Sequence, residues 1–237
     1  MLALVIDTSS AAVTAGVVRF PDASSPEVLA ERVTLDARAH GELLAPSIKA
    51  ALAEAGVTLA QLSAVIAGVG PGPFTGLRVG LVTAAAIADV GRIPAYGVCS
   101  LDAIAAEVGI GGSLLAAEPP ARGSVLVAGD ARRKEVYWAH YLDGARQAGP
   151  SVEKPAAVAE LAGEFVPAVT AMAGAGARLY ADQLGYALLD EDFPTVRGLA
   201  AVAAQRVLGR APGEPLTPLY LRRPDAVAAA SHKRVTP

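Results

Sequence analysis

One cysteine, one tryptophan, two methionines and three histidines stand in 237 residues, and each scarcity excludes a class of chemistry. Cys99 has no partner for an intramolecular disulfide, and no Cys-x-x-Cys pair exists to hold zinc or run thiol exchange, so a reducing, cytoplasmic compartment is expected. His40, His140 and His232 lie far apart in the chain, so no two imidazoles share a helical turn and no metal site is expected. Positive charge is not in excess either: 20 Lys and Arg face 23 Asp and Glu, a net charge of −3. No global basic field recruits nucleic acid, and any RNA contact must be local or borrowed from a partner. No apolar run approaches the roughly 18 to 20 residues of a membrane span. The short N-terminal run 2–6 lacks a basic flank and reads as a buried strand rather than a signal peptide, so no membrane partner is expected.

What is present is an alanine-rich, globular composition, 53% hydrophobic and 18% charged. The length suits one large or two small domains. Residues 2–6, 12–20 and 28–35 read as strands. Residues 41–55 place Leu44, Ile48, Ala51 and Leu52 at helical spacing before Gly56. Strand 62–68, a Gly-Pro-Gly-Pro turn, helix 76–90, strand 94–98 and helix 101–108 follow. This β-β-β-α-β-α order predicts a mixed sheet covered by helices. The Gly- and Pro-containing stretch 109–123 reads as a linker, and strands 124–129 and 135–142 open a second, smaller lobe that echoes the first. Strand 169–173 and helix 198–208 belong to that lobe, which gives divisions at 1–108 and 109–224, with 225–237 as a tail.

Asp7-Thr8-Ser9 at the tip of the first strand is either an ordinary Asx turn or a site where a carboxylate and hydroxyls meet a nucleotide's metal and phosphates. The segment Gly70-Pro71-Gly72-Pro73-Phe74-Thr75-Gly76-Leu77-Arg78 is not a P-loop, because Leu77 and Arg78 follow Gly76 where Lys and Ser or Thr are needed. Nor is it a dinucleotide fingerprint, since Thr75 takes the third glycine position. In the helix after it, Gly76, Gly80, Ala84 and Ala88 recur every fourth residue, a flat stripe that admits close approach of helix 41–55 or of a second protein. Arg132-Arg133-Lys134 is the densest basic run, either a solvated turn or a contact for RNA or an acidic partner. His40 reads as a cap or surface residue, His140 as part of a strand face with Trp138 and Val136, and Cys99 as a buried small residue.

Taken together, Asp7-Thr8-Ser9, His40 before Glu42-Leu43-Leu44-Ala45-Pro46, the Gly70 to Arg78 segment, Asp130-Ala131-Arg132-Arg133 before Glu135-Val136-Tyr137, and Tyr220-Leu221-Arg222 resemble the bacterial TsaB (YeaZ) family along nearly the whole chain. Pro73 stands where that family often has serine. The resemblance implies a two-lobed α/β fold of the actin, Hsp70 and sugar-kinase type (ASKHA). It also implies a non-catalytic subunit that pairs with the related TsaD, alongside TsaE, in making N6-threonylcarbamoyladenosine at position 37 of tRNAs reading codons that begin with A. Where TsaD-like proteins carry His-x-x-x-His, this chain reads Ser100-Leu101-Asp102-Ala103-Ile104, so ATP and metal are expected on partner subunits and no catalytic residue or cofactor on this one. Asp7, Thr8 and Ser9 would then be a vestigial nucleotide site. Leu44, Ile48, Phe74, Gly76, Leu77, Gly80, Leu81 and Ala84 would form the face that docks on TsaD, or on a second copy when TsaD is absent, with tRNA reached indirectly. The competing expectation is an active ATP-binding phosphotransferase or a metallopeptidase of the same superfold.

Overall fold

The most apolar strand lies at the middle of a sheet. In the computed structural model, which describes residues 1–21, 26–111 and 123–222, β1 (Leu2–Asp7) pairs with antiparallel β2 (Ala12–Arg19), which in turn pairs with β3 (Glu27–Leu35). On its other side β1 pairs with parallel β4 (Ala64–Gly68) and, beyond it, β5 (Ala95–Val98), giving the order β3-β2-β1-β4-β5. The alternation of side chains along β1 divides the core in two. Leu4 and Ile6 pack beneath α1 (His40–Ala55) and α2 (Phe74–Gly91), while Ala3 and Val5 pack on the opposite face beneath α7 (Val196–Leu208). Both faces being covered, Ala3 to Ile6 are wholly buried, which is why this strand reads as a continuous apolar run.

The second sheet contains β6 (Ser124–Asp130), β7 (Val136–Leu142), β8 (Ala145–Glu153), β9 (Val169–Ala173) and β10 (Ala187–Leu188) in the order β10-β9-β6-β7-β8. Its pairings repeat those of the first: β6, β7 and β8 are antiparallel in succession, and β9 and β10 extend β6 in parallel. Two lobes of mixed sheet flanked by helices are therefore the architecture. One face of this sheet packs on α4 (Pro155–Gly163), α5 (Ala175–Leu179) and α6 (Ala181–Leu184), and the other on α3 (Ser100–Gly111).

The expected division at residue 108 needs correction, because helices cross between lobes. Leu101, Ile104 and Ala105 of α3 join Val127, Ala139 and Tyr141 in the second lobe's core, while Leu199, Ala200 and Ala203 of α7 roof the first sheet. Leu216 and Leu219 also pack on the first lobe's core. Periodicity shows that a helix is amphipathic, not which sheet receives it. The expected linker lies largely outside the described residues, and the expected tail entirely so. The two crossing helices meet at Gly198, where a Cβ would stand 2.2 Å from the Ala103 carbonyl oxygen. Gly198→Ala is therefore expected to destabilise the protein by about 1 to 3 kcal/mol in urea unfolding. Gly163→Ala, whose Cβ meets nothing within 4 Å, should cost nothing.

Candidate functional site

The tip of β1 carries a buried carboxylate that accepts hydrogen bonds from two serines. Asp7, Thr8 and Ser9 are all buried. Asp7 Oδ1 accepts from the Ser9 N–H at 2.8 Å and from the Ser9 hydroxyl at 2.8 Å, and Oδ2 accepts from the Ser100 hydroxyl at 2.6 Å. Burial raises the pKa of Asp7 above 3.8, and the hydrogen bonds from Ser100 and Ser9 oppose that rise. Thr8 Oγ1 donates to the Gly76 carbonyl at 2.7 Å and accepts from the Gly80 N–H at 3.0 Å. In this structure the hydrogen bonds of Asp7 and Thr8 are intramolecular and hold β1 to α2 and α3. Ser100, at the first of the two positions where TsaD-like proteins carry histidine, serves Asp7, and Ile104 at the second is buried in the core.

The Gly70 to Arg78 segment has the same intramolecular purpose. Gly70 takes φ 91°, and at Gly72 a Cβ would fall 2.0 Å from the Ser9 carbonyl oxygen. At Gly80 it would fall 2.4 Å from Thr8 Oγ1. The small-residue stripe thus lets α2 settle on the tip of the chain's own β1 and, at Gly76, against His40 at the start of α1. Of the eight residues expected to face a partner, Leu44, Ile48, Gly76, Leu77, Gly80, Leu81 and Ala84 are interior, and Phe74 alone is exposed, at 37%. The reason is that α2 is apolar on nearly every side, and the stripe with the smallest side chains is the one a sheet can approach most closely. Its outward side keeps Val82 67% and Val90 86% exposed, with Ala85 and Ala86 between them also exposed. By length and apolar content α2 could span a membrane, but its buried stripe makes it a core helix of this fold.

After α7 the chain returns across the first lobe as a strap. The Glu214 N–H donates to the Ala95 carbonyl at 2.9 Å and the Leu219 N–H to the Val69 carbonyl at 2.8 Å. Tyr220 then packs at a tilt of 34° against Phe74, ring centroids 5.0 Å apart. The Arg78 guanidinium lies 3.8 Å over the Phe74 ring, and its Nε donates to the Tyr220 hydroxyl at 2.9 Å. Arg222 reaches the second lobe, donating to the Ala131 carbonyl at 2.8 Å and to the Glu135 carboxylate at 2.5 Å. No sequence periodicity points to these contacts, which join residues 142 and 87 positions apart.

Between the strap, the start of α2 and the β6–β7 turn lies a cleft of about 550 Å³. Arg132, Arg133, Arg222 and His40 line it, and among the described residues no carboxylate does. Arg132, Arg133 and Lys134 adopt φ of 60°, 53° and 60°, three successive non-glycine residues in the left-handed region. Such a backbone costs roughly 1 to 2 kcal/mol per residue. All three side chains are exposed.

The remaining candidates are structural. His40, expected as a cap or surface residue, is buried as the first residue of α1, its Nε2 2.8 Å from the Ser10 carbonyl oxygen, so that it pins the β1–β2 loop. His140 shares its strand face with Val136 and Trp138, stacks on Phe165 and lies 2.6 Å from the Ser124 hydroxyl; burial lowers its pKa. Burial beside Asp102 pushes the Cys99 thiol up to about 11, which leaves it protonated and unreactive near neutrality. Tyr141 donates to Asp102 at 2.7 Å and Arg146 pairs with it at 3.2 Å, fastening α3 to the second sheet.

Comparison with known proteins places this geometry. The family model described as TsaD, tRNA N6-adenosine threonylcarbamoyltransferase, matches residues 27–236. An uncharacterized protein of Mycobacterium tuberculosis is 48% identical over 223 residues, covering 94% of this chain and 92% of its own length. Another, of Mycobacterium leprae, is 46% identical over 95% of this chain, which spans 56% of that longer protein. The tRNA threonylcarbamoyladenosine biosynthesis protein TsaB of Escherichia coli is 35% identical over 104 residues, 44% of this chain and 42% of that one. A solved structure from Pseudomonas aeruginosa, described as similar to peptidase YEAZ, superposes with a TM-score of 0.73 at 26% identity, covering 93% of this chain and 99% of that one.

Proposed function

This chain belongs to the TsaD family and is a TsaB-like member of it, and from that premise we propose that it is a non-catalytic subunit that docks on a TsaD-type partner in threonylcarbamoylation of adenosine 37 in tRNA. The observation that carries the reading is the outward side of α2. A helix that has already satisfied its core with one stripe still presents Val82, Ala85, Ala86 and Val90 to solvent, beside the exposed Phe74. On a related fold the equivalent helices are the natural complement, and the same face serves a homodimer when the partner is absent. The inward-turned Asp7 and the replacement of both histidine positions by Ser100 and Ile104 support an accessory role. ATP and metal would then act on TsaD and TsaE, in the cytoplasm, with this chain supplying assembly.

Co-expression with a TsaD subunit tests this. Native mass measurement should find a one-to-one heterodimer, and threonylcarbamoyl transfer to tRNA should require both proteins. Transfer or sustained ATP turnover by the isolated chain would overturn the reading in favour of an enzyme.

A further inference from the structure

We propose that the Arg132-Arg133-Lys134 turn, with Arg222 at its base, contacts the phosphodiester backbone of RNA and supplies part of the RNA-binding surface of the assembled complex. The inference rests on the functional reading above and adds a ligand surface to it. Three exposed cations stand in succession at the tip of the β6–β7 hairpin of a chain whose net charge is −3. Among the described residues that line the cleft below them, Arg132, Arg133 and Arg222 are cationic and none is a carboxylate, so positive charge is concentrated here in a chain whose net charge is negative. Asp130 meets Arg132 only at 3.4 Å, and the arginine side chain remains 58% exposed. Glu135 and the Ala131 carbonyl hold Arg222, which fixes the base of the turn relative to the strap.

The left-handed backbone of all three residues is a costly way to build a hairpin tip that glycine would build freely. What it keeps in exchange is an unbroken row of cationic side chains. Tyr220, 40% exposed, lines the same cleft and offers a ring edge on which an unpaired base can stack, and this favours RNA over an acidic peptide. Three cations release too few counterions to hold RNA alone at physiological salt, so the surface acts only when joined to a partner's. Its position suits that requirement: Phe74 and Tyr220, at the edge of the proposed docking face, line the same cleft as Arg132 and Arg133.

The test uses the complex with TsaD and fluorescently labelled substrate tRNA, with anisotropy followed from low to physiological salt. The triple variant Arg132→Gln, Arg133→Gln, Lys134→Gln should lower tRNA affinity about tenfold at low salt. It should also make the slope of log affinity against log salt shallower by about 2 to 3, the value for three lost phosphate contacts. Heterodimer mass and melting temperature should not move. Arg132→Lys with Arg133→Lys, which keeps the charge, should retain the wild-type slope, separating charge from any disturbance of the turn. An unchanged slope in the triple variant overturns the inference while the docking reading stands, and so does loss of the heterodimer in that variant, which would place the turn at the protein partner. Failure of the wild-type chain to bind TsaD at all would instead remove the reading on which it depends.

Discussion

Val82→Arg is expected to abolish assembly with a TsaD partner, weakening the complex at least about a hundredfold, as loss of a central apolar contact at an interface does. The same substitution should leave the fold intact. Val82 is 67% exposed, and surface changes of this kind usually shift stability by no more than about 0.5 kcal/mol. Two residues earlier on α2 the outcome reverses. Gly80→Arg would drive a side chain into Thr8 Oγ1, which a Cβ alone would approach to 2.4 Å, and the expected cost is about 3 kcal/mol or more. Size-exclusion chromatography and thermal melts separate the two: Val82→Arg should melt like wild type but fail to co-elute, whereas Gly80→Arg should be poorly folded. A Val82→Arg chain that still binds TsaD tightly would show that the docking face lies elsewhere.

Substitutions at Asp7 should report whether its carboxylate is a structural knot. Asp7→Ala leaves the Ser9 N–H and the Ser9 and Ser100 hydroxyls facing a small void, with an expected loss of about 2 to 4 kcal/mol. Asp7→Asn keeps the volume and removes a buried charge, so it should be far milder. The pH dependence has a definite sign. Burial raises the folded pKa above 3.8, so between 3.8 and that raised value the native state binds more protons than the unfolded chain. Stability contributed by the group is full below 3.8 and falls as pH climbs through the folded value. Calorimetry from acid to neutral pH should therefore show the melting temperature of wild type declining relative to Asp7→Asn. A difference that grows in favour of wild type as pH rises would mean that the charge itself stabilises the knot.

The first lobe is largely legible in the sequence because its signals are local. β1, β2, β4, α1 and α2 announce themselves by apolar period and by glycine or proline stops, and the observed bounds differ from the reading by a few residues at most. In the second lobe β8 escapes notice, since Ala145–Glu153 is an exposed edge strand carrying Gly149 and Pro150, and α5, α6 and β10 are too short to show a period. The site was harder. Gly76 and Gly80 correctly signal a close approach, but spacing alone cannot say that the approaching surface is Thr8 at the tip of β1. Phe74 is legible as an exposed aromatic, whereas its pairing with Arg78 and Tyr220 depends on the strap's path across α2. Composition marks α2 as largely apolar, with Arg78 and Asp89 its only charges, but does not tell which residues belong to the interior.

The crossing of α3 and α7 also constrains how the molecule is made. Because Leu199, Ala200 and Ala203 close the second face of the first sheet, a ribosome must finish most of the message before that sheet has both coverings. Until then Ala3, Val5, Ile66 and Tyr96 line an open greasy floor on the nascent chain. Halving the gene near codon 108 would yield a soluble fragment from neither side.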